Sequence, residues 1–280
     1  MGNIIWLASY PKSGNTWMRA FLHNLFRNPG EPLDINEIGG GLISTGEAVM
    51  KWYKMLDSRP PEEWTRPDID AMRPKVHQLI ADNYPGTIFC KTHCALLELR
   101  GHSTVNLDVT VGAIYIVRNP LDVALSFADF QGVDVDRAIT VLGTTNCELP
   151  NDRESVSEPL GSWTQNVETW TGKPNPRLLI VRYEDMLKAP VKTFSGVAKF
   201  LNVNAPRDRI ERAVKSSSFK VLRAQEDKHG FAERSPAQDR FFRKGTAGHW
   251  KDELDDEQIA KVVSDHREQM QRFDYVPAGF

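Results

Sequence analysis

The residues near the start of the chain that are best suited to chemistry are Tyr10-Pro-Lys-Ser-Gly-Asn-Thr-Trp17. Gly14 lets the backbone approach a ligand closely, and Ser13 and Thr16 offer hydroxyl donors. Lys12 adds a positive charge. Because a buried strand precedes the segment and a helix follows it, backbone N–H groups and the positive helix end would face an anion. An ordinary strand-to-helix turn has the same spacing, but the lysine and the hydroxyls together favour a phosphate site. The nucleoside-triphosphatase loop does not fit, because Lys12 precedes Gly14.

Two later segments carry further phosphate-binding groups. Arg118 ends a predicted strand, and Ser126 lies two helical turns into the following helix. A guanidinium can hold a phosphate by two parallel hydrogen bonds, and a serine hydroxyl can add a third. The alternative is a surface arginine with an exposed or back-bonded serine. Arg243-Lys-Gly245 is basic as well, although alone it is typical of a solvated loop.

The candidate catalytic residue is His93, in Lys91-Thr-His93 directly after a predicted strand. Open α/β sheets place reactive groups at such strand ends, beside the ligand crevice. Histidine suits proton abstraction near neutral pH. An isolated histidine is more often structural, and the other six histidines have no supporting motif.

Apolar runs that alternate with helical patterns predict a single α/β domain, residues 1–280, with a mostly parallel central sheet and helices on both faces. The predicted strands are Asn3–Ser9, Thr87–Lys91, Ala113–Val117 and Leu178–Val181. Helical periodicity covers Trp17, Phe21, Leu22, Leu25 and Phe26, then the segment capped by Asn119, and finally Ile259 to Phe273. Residues 57–70 and 227–248 are predicted to be irregular.

Composition excludes several classes of protein. Lys and Arg number 35 against 37 Asp and Glu, a net charge of −2, which argues against a nucleic-acid-binding coat. The longest nearly apolar run, Val111–Val117, is too short to span a bilayer. Cys90 and Cys94 have no second ligand cluster, so we expect reduced thiols, no metal and a cytoplasmic protein.

Three segments in order carry a resemblance to a known family. Tyr10–Trp17 resembles the 5′-phosphosulfate loop of the cytosolic-type sulfotransferases. Ile116–Ser126 looks like the 3′-phosphate motif of that family, and Arg243–Trp250 is similar to its late Arg-Lys-Gly signature. These enzymes move a sulfuryl group from 3′-phosphoadenosine 5′-phosphosulfate (PAPS) to a hydroxyl or amine, which leaves 3′-phosphoadenosine 5′-phosphate (PAP). One segment alone would be weak, but three in order are specific.

The resemblance implies a role for each matching residue. His93 would be the general base, Lys12 would stabilise charge on the departing phosphate oxygen, and Lys91 would support the sulfuryl oxygens of an in-line transfer without metal. The implied nucleotide ligands are Lys12, Ser13, Gly14, Asn15 and Thr16 at the phosphosulfate, Arg118, Ser126, Arg243, Lys244 and Gly245 at the 3′-phosphate, and Trp17, Tyr183, Ser217, Ser218 and Phe219 at adenine.

The chain also departs from the family pattern. His249 stands where Asp is common, Asn166 where His is usual, and Ala95 where Pro is usual, which puts acceptor geometry in question. The dimerisation motif of animal members is absent from 247–256, which indicates a divergent, bacterial member and leaves a homodimer by another surface open.

The acceptor is predicted to be a small molecule with a phenolic or alcoholic hydroxyl, with no nucleic-acid partner and no membrane insertion. Specificity is expected from loops 30–73 and 132–157, where Trp52, Tyr53, Trp64 and Phe130 either line an apolar pocket or belong to the core. The rival functions are a nucleotide or adenylylsulfate kinase, which the order of Lys12 and Gly14 disfavours, and a non-catalytic nucleotide-binding protein of the same fold.

Overall fold

A computed structural model describes residues 2–41 and 43–280. The strands are β1 (Asn3–Ser9), β2 (Ser44–Gly46), β3 (Thr87–Thr92), β4 (Glu98–Leu99), β5 (His102–Ser103), β6 (Thr110–Val117), β7 (Glu148–Leu149), β8 (Glu158–Pro159) and β9 (Leu178–Arg182). Five of them are parallel and form one sheet in the order β2-β3-β1-β6-β9. The pairs β4–β5 and β7–β8 are short antiparallel ladders.

Helices cover both faces of the sheet. They are α1 (Asn15–Arg27), α2 (Met50–Lys54), α3 (Arg66–Asn83), α4 (Pro120–Gln131), α5 (Val135–Gly143), α6 (Trp163–Thr171), α7 (Tyr183–Lys188), α8 (Pro190–Phe200), α9 (Arg207–Ser216), α10 (Phe219–His229), α11 (Trp250–Glu253) and α12 (Asp256–Arg272). Single 3₁₀ turns lie at Ile35–Glu37, Pro61–Glu63 and Leu107–Val109. None of the helices described is long and apolar enough to cross a membrane.

Alternation along the central strand divides the core into two layers. Trp6 of β1 packs in the cluster that includes Val76 of α3 and Val262 of α12. Its neighbour Leu7 packs in the opposite cluster, with Phe21 of α1. Because successive side chains of a strand point to opposite faces, a continuous apolar run such as β1 is buried on both sides. The predicted α/β fold with a parallel sheet is confirmed.

The element boundaries agree with the sequence patterns except in a few places. The four predicted strands are present, but the short edge strand β2 was missed. Residues 66–70 were predicted to be irregular, yet α3 begins there, because Thr65 and Asp68 form a reciprocal capping box. Phe26 was assigned to the buried stripe of α1 but is 36% exposed, because it lies in the last turn.

The strand order determines where a ligand would bind. The chain passes from β1 to β3 on one side of β1 and then to β6 on the other. Ligands of open α/β sheets bind at this change of direction, beyond the carboxyl ends of the strands. The loop after β1, His93 after β3 and Arg118 after β6 therefore meet at one edge of the sheet.

Candidate active site

A cavity of about 750 Å³ opens at this edge. It is lined by most of the residues that the sequence singled out: Lys12, Gly14, Asn15, Thr16, Trp17, Lys91, His93, Arg118, Ser126, Tyr183, Phe219, Arg243, Lys244 and Gly245. Three segments that lie far apart in sequence thus share one cavity. In the described part of the chain, no three His, Cys, Asp or Glu side chains come close enough together to hold a metal ion.

Two residues of the loop after β1 have a backbone φ in the left-handed region, which residues other than glycine seldom adopt. Lys12 has φ of +66°, and Gly14, the N-cap of α1, has φ of +103°. A Cβ at Gly14 would lie 2.7 Å from Cδ2 of Tyr183, so this close approach requires glycine. Asn15 supports the loop from within, because its Nδ2 donates to the carbonyl of Leu7 at 2.8 Å.

The ammonium of Lys12 lies between two aromatic rings. Its Nζ is 4.4 Å from the ring centroid of Phe130 and 4.1 Å from that of Phe241. Burial, together with the nearby charge of Arg118, lowers the pKa of Lys12 to about 7. An ammonium held in this way is costly in the free protein, and an anionic ligand would relieve that cost.

Several buried polar atoms around the loop have no hydrogen-bond partner within the described chain. They include Nζ of Lys12, Oγ of Ser13, Nε1 of Trp17 and Nε of Arg118, which can all donate a hydrogen bond, and Oδ1 of Asn15, which can only accept one. A buried donor is normally paired. The donor set therefore fits a ligand with several anionic or acceptor oxygens, as a nucleotide with two phosphate ends would supply.

Arg118 joins the loop to two aromatic side chains of the cavity. Its Nη1 donates to the carbonyl of Lys12 at 2.8 Å, and its guanidinium carbon lies 4.4 Å from the ring centroid of Tyr183. Trp17 meets Tyr183 edge-on, with ring centroids 6.0 Å apart. The aromatic side chains predicted to contact adenine thus lie directly beside the predicted phosphate ligand.

The late segment is fastened to α4. The carboxylate of Asp122 accepts the backbone N–H of Gly248 at 2.8 Å and that of Trp250 at 3.4 Å. Arg243 lies 3.6 Å from a carboxylate oxygen of Asp129. Gly245 has φ of +66°, and a Cβ there would clash with the ring of Phe219. These contacts hold Arg243–Gly245 over the same helix that carries Ser126.

His93 is held in one tautomer and one orientation. Its Nδ1 lies 2.7 Å from the carbonyl oxygen of Ser9, so Nδ1 carries the proton and donates it to that oxygen. Its backbone N–H donates to Glu158 at 3.3 Å, and its carbonyl accepts from Nδ2 of Asn166 at 2.9 Å. Burial, reinforced by the charge of Lys91, lowers the pKa of His93 to about 3. The ring is therefore neutral, with Nε2 available as a base.

A buried ion pair supports the segment around His93 from below. Arg73 donates to Oε2 of Glu47 at 2.6 Å, and both side chains are almost fully buried. Oε1 of Glu47 accepts from Sγ of Cys94 at 3.0 Å and from the hydroxyl of Thr92 at 3.4 Å. Burial opposes ionisation of Glu47, but Arg73, His77 and Cys94 together outweigh it and hold the pKa of this carboxyl below its usual range. Both chain neighbours of His93 are thereby fixed.

The predicted serine ligands of adenine lie outside the cavity lining. Ser217 is fully buried, and its hydroxyl donates to the carbonyl of Ala213 in its own helix at 2.9 Å. Ser218 precedes α10 as its N-cap. Ser13 is likewise absent from the lining, although its buried hydroxyl is unpaired. Of this group, Phe219 alone faces the cavity.

The residues that depart from the family pattern differ in position. Asn166 does not line the cavity: it is fully buried, and it also accepts from the hydroxyl of Tyr115 at 2.8 Å. His249 lines the cavity and contacts the hydroxyl of Thr246. Ala95 is buried, and its backbone N–H donates to the carbonyl oxygen of Pro159 at 2.9 Å.

The remaining wall of the cavity corrects the predicted acceptor pocket. Trp52, Tyr53 and Trp64 belong to the hydrophobic core, and none of the described residues in 30–73 lines the cavity. Phe130 does line it. The wall near His93 comes from 149–158, most of which lies within the predicted loop 132–157, and from 232–236, and it includes Glu158 and Glu233. No motif marks these two carboxylates, so the sequence offered no signal for them.

Comparison with known proteins assigns the family. Residues 3–274 match the sulfotransferase domain family. Rat Sulfotransferase 1A1 is 27% identical over 271 residues, which cover 92% of this chain and 84% of the relative. Flavonol 3-sulfotransferase of Flaveria bidentis is 27% identical over 280 residues, covering 93% and 79%. The crystal structure of mouse sulfotransferase SULT7A1 complexed with PAP shares the fold, with a TM-score of 0.62 at 21% identity, covering 98% of this chain and 90% of that chain. The chain belongs to the sulfotransferase domain family.

Proposed function

We propose that this protein transfers a sulfuryl group from PAPS to the hydroxyl of a small molecule. The observation that carries the proposal is the set of buried, unpartnered donors around one cavity, with a neutral histidine at its inner end. The names of its relatives support the same reaction, since they include a flavonol sulfotransferase and a structure complexed with PAP.

The donor nucleotide supplies the activated sulfuryl group, and the chain would hold it at both phosphate ends. We assign the phosphosulfate end to the loop of Lys12 to Thr16, because unpaired donors converge there at the start of α1. We assign the 3′-phosphate to Arg118, Ser126 and Arg243–Gly245, which lie along the same wall.

His93 would remove the proton of the acceptor hydroxyl through Nε2. The carbonyl of Ser9 fixes the tautomer and stabilises the imidazolium that forms, because Nδ1–H keeps donating to it at 2.7 Å. The low pKa of His93 leaves the ring unprotonated throughout the physiological range, and it also makes the imidazole of the free protein a weak base. The negative charge of bound PAPS would raise this pKa towards the range in which a general base works best.

The two lysines of the cavity would stabilise negative charge during transfer. Nζ of Lys12 is buried between two aromatic rings, where its charge acts more strongly than it would in bulk water. Lys91 lines the cavity two residues before His93 and would support the sulfuryl oxygens. The order of Lys12 and Gly14 continues to disfavour the kinase alternative. We further propose that the protein acts in the cytoplasm and leave homodimerisation through another surface open.

The test measures PAP formation from PAPS with 4-nitrophenol and with cyclohexanol, for the native chain and for His93→Ala. Without the base, turnover of the alcohol should fall by roughly two to four orders of magnitude, and turnover of the more acidic phenol should fall less. His102→Ala, at a histidine that does not line the cavity, is the matched control. Normal PAP binding with full activity of His93→Ala towards cyclohexanol would refute the assignment of the base, and turnover of neither acceptor by the native chain would refute the reaction.

A further inference from the structure

Two of the carboxylates that line the cavity, Glu158 and Glu233, have different sets of partners. Both oxygens of Glu233 are engaged by Arg19, at 2.7 and 2.6 Å. Glu158, on β8, has a single contact, the 3.3 Å hydrogen bond that it accepts from the backbone N–H of His93. Within the described residues, no basic side chain lies within ion-pair distance of it.

Glu158 is a cavity-lining carboxylate that has one hydrogen bond and no ion pair within the described residues. Burial raises the pKa of Glu158 even though Lys91 acts against that shift, so the carboxyl has lost hydration that no cation fully replaces. A buried carboxylate with a single long hydrogen bond is stabilised by a further donor that binds beside it. Glu158 belongs to none of the three segments assigned to the nucleotide, so we assign the group that binds beside it to the acceptor.

The rest of this wall also carries polar side chains. Asp152, Arg153, Glu154, Ser155, Arg234 and Ser235 line the cavity in the same two segments, 149–158 and 232–236, together with the apolar Leu149, Pro150, Val156, Ala232 and Pro236. The large aromatic side chains that would form an apolar pocket, Trp52, Tyr53 and Trp64, are buried in the core. Of the aromatic residues that do line the cavity, Phe130 and Phe241 contact the ammonium of Lys12. An acceptor that is purely apolar beyond its hydroxyl would meet polar groups here.

Building on the proposed sulfuryl transfer, we propose that the acceptor carries a second hydrogen-bond donor, a hydroxyl or a protonated amine, close to the reacting hydroxyl, and that Glu158 recognises it. Because Glu158 contacts the backbone of His93, a group bound to its carboxylate lies beside the base. The same contact would hold the reacting hydroxyl of a polyol or an amino alcohol towards Nε2. Glu158 thus determines specificity.

The test uses three acceptors with one ring: cyclohexanol, trans-1,2-cyclohexanediol and trans-2-aminocyclohexanol. We measure kcat/KM for PAP formation, and acceptor binding to the PAP-saturated protein by calorimetry. The diol, the amino alcohol or both should exceed cyclohexanol by about tenfold or more in both measurements. An advantage of the amino alcohol alone identifies a cationic acceptor, and an advantage of both identifies a polyol-like one.

Variants of Glu158 distinguish recognition of the second donor of the acceptor from structural support of His93. Glu158→Gln keeps an oxygen for the N–H of His93 but loses the charge, so the preference for the second donor should fall about tenfold. Glu257→Gln, at an exposed glutamate on α12, should leave the preference unchanged. Equal use of all three acceptors by the native chain would overturn the proposal, as would equal losses for all three in Glu158→Gln. If that variant no longer binds PAP, Glu158→Asp, which keeps the charge, replaces it. Failure of the sulfuryl transfer itself looks different, because no acceptor then yields PAP.

Discussion

Binding of PAP should be coupled to uptake of a proton by Lys12. In the free protein, burial and Arg118 lower the pKa of this lysine to about 7, so much of it is neutral in mildly alkaline solution. Phosphate groups beside Nζ would favour the ammonium and raise its pKa again. The lysine must therefore gain a proton as the nucleotide binds.

The size of the effect follows from the pKa. At pH 8, a group with a pKa near 7 is only about one-tenth protonated, so binding should take up about 0.9 proton, and at pH 7 about half a proton. The dissociation constant should rise by about tenfold per pH unit between pH 8 and 9. PAP itself adds little to this, because phosphate monoesters ionise near pH 6.

Calorimetry in two buffers of different ionisation enthalpy measures the proton count directly. Lys12→Met should abolish the uptake and flatten the pH dependence of binding. Lys244→Met, which removes another ammonium from the cavity, should keep both. An uptake below about 0.2 proton at pH 8 in the native chain would show that Lys12 is already charged, and the reasoning from burial would be wrong.

The same residue should affect stability. Because the pKa of Lys12 is lower in the folded than in the unfolded chain, the unfolded chain binds more protons between about pH 7 and 10, and the free energy of unfolding rises with pH across that window. Lys12→Met should therefore stabilise the nucleotide-free protein at pH 7, by about 2 to 4 kcal/mol. A lower midpoint in urea would contradict this.

Two further predictions concern other parts of the site. Arg118→Ala should weaken PAP binding by about tenfold to a hundredfold while changing the affinity for adenosine 5′-phosphate much less, because its guanidinium is assigned to the 3′-phosphate; equal losses for the two nucleotides in calorimetry would remove that assignment. Glu47→Gln should lower the free energy of unfolding by about 3 to 5 kcal/mol, because it leaves the buried charge of Arg73 without its 2.6 Å partner. A loss under about 1 kcal/mol in urea unfolding would show that Arg73 finds another acceptor.

Local signals explain what the sequence could predict. The β1 strand is a continuous apolar run, and Asn119 followed by proline begins α4 as expected. The loop of Lys12 to Thr16 was recognisable because its donors lie within a few residues of one another. Such features depend on neighbouring residues only, so pattern and residue type are sufficient.

The unpredicted parts depend on contacts between distant residues. Glu158, on the two-residue strand β8, contacts His93, and the charge of Glu233, in the loop after α10, acts on the same ring. Neither segment carries a periodic pattern, so only the packed structure brings these residues together. The three residues of β2 are too few for a recognisable pattern. From its sequence position, Asn166 was expected to affect the geometry of the acceptor. Its side chain is buried in the core instead, where Nδ2 donates to the carbonyl oxygens of His93 and Leu160.

The attachment of the late segment to Asp122 has a consequence for how this site tolerates change in the chain. The carboxylate ties Gly248 and Trp250 to the first turn of α4, so Arg243–Gly245 and Ser126 share one rigid frame although more than a hundred residues separate them. Sequence changes confined to the acceptor wall, at 149–158 or 232–236, would leave this attachment in place. New acceptor preferences can therefore arise in those segments while Asp122 continues to hold the late segment over α4.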